Sequence, residues 1–225
     1  MRNIYIHVIG IEGTGHHFWM SFIDELIRGQ DEYKKGFHYQ PRSPTISDVT
    51  RKYLQNITWG WNMYDEARCL DSRSQLDNAF TEQISSHSGW IIFHGDSYPT
   101  MTFRKTEQNI DIADFYERYK SVMDFKFIFI NRDIFKAINA RQGLDGSLSG
   151  HAKNMLDHLD WISKVRSRLP SDVYIDTHYE DIDVEAVEDF LPFENIRPVF
   201  NKVFKKSDKK VSESDYNTIA RIINV

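Results

Sequence analysis

The chain has 225 residues, of which 40% are apolar and 14% aromatic, which suits one packed α/β domain and excludes a disordered chain. Its formal net charge of -5 excludes a dominant basic face for nucleic acid, and its one cysteine, Cys69, excludes an intrachain disulfide or a cysteine-built zinc site. No apolar run reaches membrane-spanning length and Met1–Asn3 leads straight into Ile4, so a cytoplasmic protein with no membrane or nucleic-acid partner is expected.

Ile4 to Ile9 is a short apolar run and predicts a buried strand. Gly10 to Gly15 holds three glycines and predicts a tight loop. Phe18, Trp19, Phe22, Ile23, Leu26 and Ile27 then recur at helical spacing, and Gly29 ends the helix. Residues 30–88 are read as an insertion over the core, irregular and rich in aromatics to about 75, with one helix near 46–56 and another from Leu76 to Ser86. Trp90 to Phe93 predicts a second buried strand, and Ile112, Phe115, Tyr116, Tyr119 and Val122 mark an amphipathic helix. Phe125 to Ile130 is a third strand, apolar as parallel buried strands are. A helix start at Asp133 to Arg141, a loop over Gly143 to Gly150 and a long helix over His151 to Arg168 follow. Val173 to Ile175 is a short strand and Val184 to Leu191 a helix. The basic run Lys205 to Lys210 reads as a solvated loop, and Ser212 with Asp215 forms a capping box for a last helix that turns Ile219, Ile222 and Ile223 inward. Strands alternating with helices predict a three-layer α/β sandwich, a central parallel sheet flanked by helices, over a single domain of residues 1–225.

The segment Gly10-Ile11-Glu12-Gly13-Thr14-Gly15-His16-His17 has the spacing of a phosphate loop, two glycines with four residues between them, after a strand and before a helix. Glycines let the backbone fold tightly and turn its N–H groups inward, and the helix N-terminus adds positive potential. His16 stands where the lysine of a nucleotide-hydrolysing loop belongs, and His17 where its magnesium-binding Ser or Thr belongs. The loop therefore suits an anionic phosphate group without the standard NTPase clamp; the bland alternative is a strand-to-helix turn with no ligand. The third strand ends in Arg132-Asp133. An arginine at a strand's carboxyl end suits a phosphate through its planar fork, and the aspartate can cap the next helix; an Arg–Asp surface pair is the bland alternative.

In this order the residues resemble the sulfotransferase family, P-loop-fold enzymes that use 3′-phosphoadenosine 5′-phosphosulfate as donor with neither metal nor ATP. The resemblance rests on Gly13-Thr14-Gly15-His16-His17-Phe18-Trp19, on Phe127-Ile128-Phe129-Ile130-Asn131-Arg132-Asp133, and on Tyr179-Glu180-Asp181-Ile182 after a late strand. It spans residues 4 to about 191. It implies that Gly13, Thr14, Gly15, His16, His17 and Phe18 hold the phosphosulfate, that Arg132 binds the 3′-phosphate and that Tyr179 lies near the adenine. The sequence departs from the family at three points. No lysine or arginine stands in the loop, Ala140 replaces the serine eight residues after the arginine, and Ile134 replaces a proline after Asp133. His16 in protonated form would replace the lysine, and Asn139 or Arg141 the serine.

The family commonly places its base, a His or Glu, just after a central strand. Here that place holds His94-Gly95-Asp96, so His94 or Asp96 would take the acceptor's proton. The histidines show no metal-ligand spacing, and no metal is expected. Trp59, Trp61 and Tyr64 are candidates for an acceptor pocket, Ser147 and Ser149 for a lid. A small-molecule or glycan hydroxyl or amine is the expected acceptor. The alternatives are a P-loop kinase of a nucleotide or small metabolite, which would need magnesium, and an inactive nucleotide-binding module.

Overall fold

The structure, a computed structural model, describes residues 2–11, 13–29, 34–38, 78, 80–82, 84–95, 111–140, 148–205 and 211–223. Outside them lie the helix expected near 46–56, the aromatics Trp59, Trp61 and Tyr64, and Asp96, Arg141, Ser147 and most of the Lys205 to Lys210 run.

Among the described residues five strands form one sheet: β1 (Asn3–Ile9), β2 (Lys34–His38), β3 (Trp90–His94), β4 (Met123–Asn131) and β5 (Tyr174–His178). Their order is β2-β3-β1-β4-β5, and each neighbouring pair is parallel. The helices are α1 (His16–Arg28), α2 (Ile112–Tyr119), α3 (Ile134–Ala140), α4 (Leu148–Arg166), α5 (Val184–Phe190), α6 (Ile196–Val203) and α7 (Glu213–Ile223). Helical turns also carry the buried Phe80 and Ile84.

The period-two alternation of the strands sorts the core into two clusters. Tyr5, Ile92, Phe125, Phe127 and Phe129 face α2, α3, α4 and α7 through Phe115, Ile138, Met155 and Ile219. Ile6, Val8, Phe93, Ile128 and Ile130 face α1, α5 and α6 through Phe22, Val187 and Phe200. This is the three-layer α/β sandwich that the sequence predicts. Helix starts follow side-chain chemistry. Asp111 Oδ1 accepts from the Ala113 and Asp114 N–H groups, Asp133 Oδ1 from that of Lys136, and Ser212 Oγ from that of Asp215.

Three expectations change. β2 lies within the stretch read as irregular; it pairs with β3 at the sheet edge, although Lys34-Lys35-Gly36-Phe37-His38 has no apolar run. The long helix starts at Leu148, not His151, so Ser149 and Gly150 belong to its first turn rather than to a loop. Residues 196–203, for which the sequence suggests no element, form α6, whose Ile196 and Phe200 complete the cluster over α1.

The chain runs from β1 out to β2, back through β3, and crosses to β4 on the other side of β1. The segment after β1 leads to α1 on one face, and the segment after β4 leads to α3 on the other. The two connections part between β1 and β4, and in open α/β sheets such a crevice is where ligands bind.

Candidate functional site

The glycine loop leaves β1 at that crevice. Gly13 and Gly15 have φ of 85° and 109°, a region that side chains avoid. A Cβ on Gly13 would stand 2.5 Å from the Ala137 carbonyl oxygen of α3, and one on Gly15 would overlap the Tyr179 ring. Both positions require glycine for conformation and for space. The buried Thr14 draws the loop closed, its hydroxyl donating to the Ile11 carbonyl at 2.6 Å. Thr14 therefore has its hydroxyl donor committed to the loop. Gly15 caps α1, with its carbonyl accepting from the Phe18 N–H at 3.0 Å. The His16 and His17 N–H groups precede the first bond of the helix, Phe18 N–H to the Gly15 carbonyl, and lie at the positive end of a 13-residue helix.

Arg132, with 9% of its side chain exposed, closes the loop from β4. Its Nη1 donates to the Gly13 carbonyl at 2.8 Å and its Nε to Glu180 Oε1 at 3.1 Å. Its guanidinium carbon sits 5.0 Å from the centre of the Tyr179 ring. Lys136 Nζ approaches the same Glu180 oxygen at 3.4 Å, and His178 Nδ1 lies 3.2 Å from the other. Burial pushes the Glu180 carboxyl up, but the hydrogen bond from Arg132 and the charges of Lys136 and Arg132 outweigh it and hold the group below its ordinary value. One carboxylate thus serves two cations beside the loop, which leaves local positive charge for an anion. Glu180 and Lys136 were not singled out as site residues from the sequence. Glu180 sits in the quoted Tyr-Glu-Asp-Ile element, and that signal was available.

The remaining expected donor-side residues separate. Phe18 is core, ringed by Trp19, Phe22, Tyr179, Phe200 and Phe204. His17 is exposed. Asn139, on α3, has a buried Oδ1 that meets no donor among the described residues. His16 is buried with 8% exposure, and its Nε2 has no partner among the described residues. Burial, then the neighbouring His17, lowers its pKa to about 3. His16 is therefore neutral in this structure, whereas the expectation of a protonated His16 rests on the field of a bound phosphosulfate.

His94 ends β3 beside His7 of β1, with which it is in register. The two rings stack, centroids 4.3 Å apart and planes 4° from parallel. Tyr5 Oη lies 3.2 Å from His94 Nδ1 and 3.4 Å from His7 Nδ1. A phenol has one proton, so if it donates to one ring nitrogen the other must donate to it, and the two tautomers are coupled. Burial, then His16, lowers the His94 pKa to about 3; burial, then His94 and His16, lowers that of His7 well below its ordinary value. His94 is 1% exposed and neutral, buried at the end of β3 beside β1. Neither Tyr5 nor His7 was singled out from sequence, because their partner is 87 to 89 residues away. Replacing Tyr5 by Phe removes the hydroxyl from between the rings, and urea unfolding should show a loss of about 1–3 kcal/mol. An unchanged midpoint would mean that the hydroxyl does not order the pair. Among the described residues, no three potential ligands converge as a metal site requires, and no helix is long and apolar enough to cross a membrane.

Comparison with known proteins adds fold-level neighbours. The chain is similar to the sulfotransferase domain from the curacin biosynthetic pathway, at TM-score 0.44 and 10% identity over 97% of this chain and 96% of that one. It is similar also to the sulfotransferase domain from the Synechococcus PCC 7002 olefin synthase, at TM-score 0.44 and 10% identity over 100% of this chain and 95% of that one. Both neighbours are sulfotransferase domains. No family model and no curated protein sequence matches the chain.

Against this geometry a doubly phosphorylated nucleotide can be tested for fit. The loop offers backbone N–H groups at the head of α1, Arg132 Nη2 has no partner among the described residues, and Lys136 is half-buried beside it. The unpartnered Nε2 of His16 and Oδ1 of Asn139 are polar atoms without a protein partner among the described residues. The loop N–H groups, Arg132 and Lys136 suit an anion, whereas Asn139 Oδ1, an acceptor, suits a hydroxyl or amino donor.

Proposed function

We propose that the chain transfers a sulfuryl group from 3′-phosphoadenosine 5′-phosphosulfate to a hydroxyl or amine of a small molecule or glycan. The observation that carries this reading is the loop itself. It is an anion cradle with two obligatory glycines and a capped helix behind it, yet it lacks the lysine and the Ser/Thr through which a kinase loop grips nucleotide and magnesium. A donor that needs no metal suits such a loop.

In this reading the first-turn N–H groups of α1 hold the 5′-phosphosulfate end, and Arg132 Nη2 with Lys136 holds the 3′-phosphate. Glu180 keeps the guanidinium in place. Tyr179, stacked on Arg132, borders the adenine. Neutral His16 offers its Nε2 proton to the transferring group as a plain hydrogen-bond donor. Asp96 is the favoured base, because His94, 1% exposed, joined to Tyr5 and with its pKa lowered to about 3, is a buried and weak proton acceptor. In-line positioning and charge stabilisation supply most of what the transfer needs.

Calorimetric titration with 3′-phosphoadenosine 5′-phosphate, the product nucleotide, tests this reading. Micromolar binding is expected without magnesium. Arg132→Ala should weaken it about 10- to 100-fold, the worth of one or two charge-assisted hydrogen bonds. Repeating the titration in buffers of different ionisation enthalpy should reveal no proton uptake by His16. Magnesium-dependent ATP binding with no affinity for the bisphosphate would replace this reading by the kinase, and no binding of either would leave an inactive module.

A further inference from the structure

β5 begins at Tyr174, opposite Phe127 of β4. Residues 123–126 of β4 therefore pair with β1 on one side and with no described strand on the other. This is the end of the sheet opposite the glycine loop. A cleft of about 410 Å³ opens there, within the size range of small-molecule sites, and Arg2, Tyr116, Asp124, Phe125, Lys126 and Asp172 are among its walls.

Lys126 is the unusual member. It lies beside Ile6 on the face that Ile128 and Ile130 use for core packing, in a strand that is second from the sheet edge. Lysine is seldom placed so unless its charge has a use. Its ammonium lies 4.3 Å from the centre of the Phe190 ring, and among the described residues it makes no hydrogen bond and no ion pair. The other two cations of the lining are committed: Lys120 Nζ pairs with Glu117 at 2.6 Å. Arg2 donates to the Lys120 and Met123 carbonyls at 2.6 and 2.9 Å and pairs with Asp124 at 3.2 Å. Asp124 and Asp172 both favour the charged lysine, but burial outweighs them and lowers its pKa.

We infer that this cleft is a second ligand site, separate from the glycine loop, which takes a small organic monoanion with a flat apolar body. The anion meets Lys126, and the body lies against the partly buried Tyr116. A dianion is disfavoured because Asp124 and Asp172 flank the same cation. The site does not depend on the sulfuryl-transfer reading.

Benzoate is the probe. Ligand-observed NMR titration of the full chain should show saturable binding. Lys126→Met keeps most of the apolar stem and removes the charge, and it should weaken benzoate at least tenfold. Its melting temperature should be equal or higher, because a half-buried charge with no ion pair among the described residues is gone. Arg132→Ala, at the other end of the sheet, should leave benzoate affinity within twofold. The inference is overturned if the wild type does not bind benzoate, if Lys126→Met binds it equally, or if Arg132→Ala loses it as well.

Discussion

Mild acid should unfold this protein, with a loss of about 4 kcal/mol between pH 7.5 and 5.5 and about as much again by pH 4.5. The source is the trio His7, His16 and His94, at 0%, 8% and 1% exposure, each with its pKa lowered first of all by burial. Above the unfolded value of about 6.5, each imidazole is neutral in both states and contributes nothing to the pH dependence. Below it, the unfolded chain takes up a proton that the folded chain refuses, so stability falls until the folded value, about 3 for His16 and His94, is reached. Each group costs about 1.4 kcal/mol per pH unit in that window, and a domain holds about 5–15 kcal/mol in all. The salt-bridged carboxylates act elsewhere. Glu180, with its pKa lowered, gives up its contribution only as the pH falls through its folded value, below the ordinary carboxylate range. Urea unfolding at pH 7.5, 6.5 and 5.5 would measure the slope, and His7→Leu should reduce it by one proton whatever that variant's absolute stability. Equal free energies at pH 7.5 and 5.5 would show that the cluster is hydrated in solution.

The features legible in the sequence are those fixed by neighbours along the chain. Apolar runs gave β1, β3 and β4 to within a few residues, and glycine spacing located the loop between β1 and α1. The Arg132-Asp133 pair lies where a strand-end arginine was expected, and Asp133 caps α3. What escaped was decided across the sheet. β2 is a strand because β3 offers it an edge, a fact that Lys34-Lys35-Gly36 does not announce. The protonation of His16 follows from burial behind the loop, and no local pattern separates a buried first-turn histidine from a solvated one. The contact of Tyr5 with His94 and that of Arg132 with Glu180 join residues 89 and 48 positions apart. They needed the strand order before they could be stated. The Gly150 misreading has a different cause: glycine suggests a loop, but in the first turn of a 19-residue helix its entropic cost is small against the rest of the element.

Gly15→Ala should destabilise the fold by about 2–6 kcal/mol and weaken 3′-phosphoadenosine 5′-phosphate at least 100-fold. Two costs combine. A φ of 109° strains any residue with a Cβ by about 1–3 kcal/mol, and the new methyl overlaps the Tyr179 ring, which must move for about 1–3 kcal/mol more. The ring cannot move alone, because Arg132 stacks on it while bonding the Gly13 carbonyl. Displacing Tyr179 therefore disturbs the cation and the cradle together, which is why binding should suffer along with stability. Adding Tyr179→Ala to Gly15→Ala removes the overlap but not the strain, so the double variant should bind no better while its extra instability reports only the lost ring contacts. Gly29→Ala is the comparison. With φ of -77° and its nearest neighbour atom, the Leu26 carbonyl oxygen, 3.4 Å from the new methyl, it should be neutral or stabilising by up to about 1 kcal/mol. If Gly15→Ala melted with the wild type, the left-handed turn would not exist in solution. If it lost stability but kept the bisphosphate, the anion would be held elsewhere, and the loop would be a strand-to-helix turn and no more.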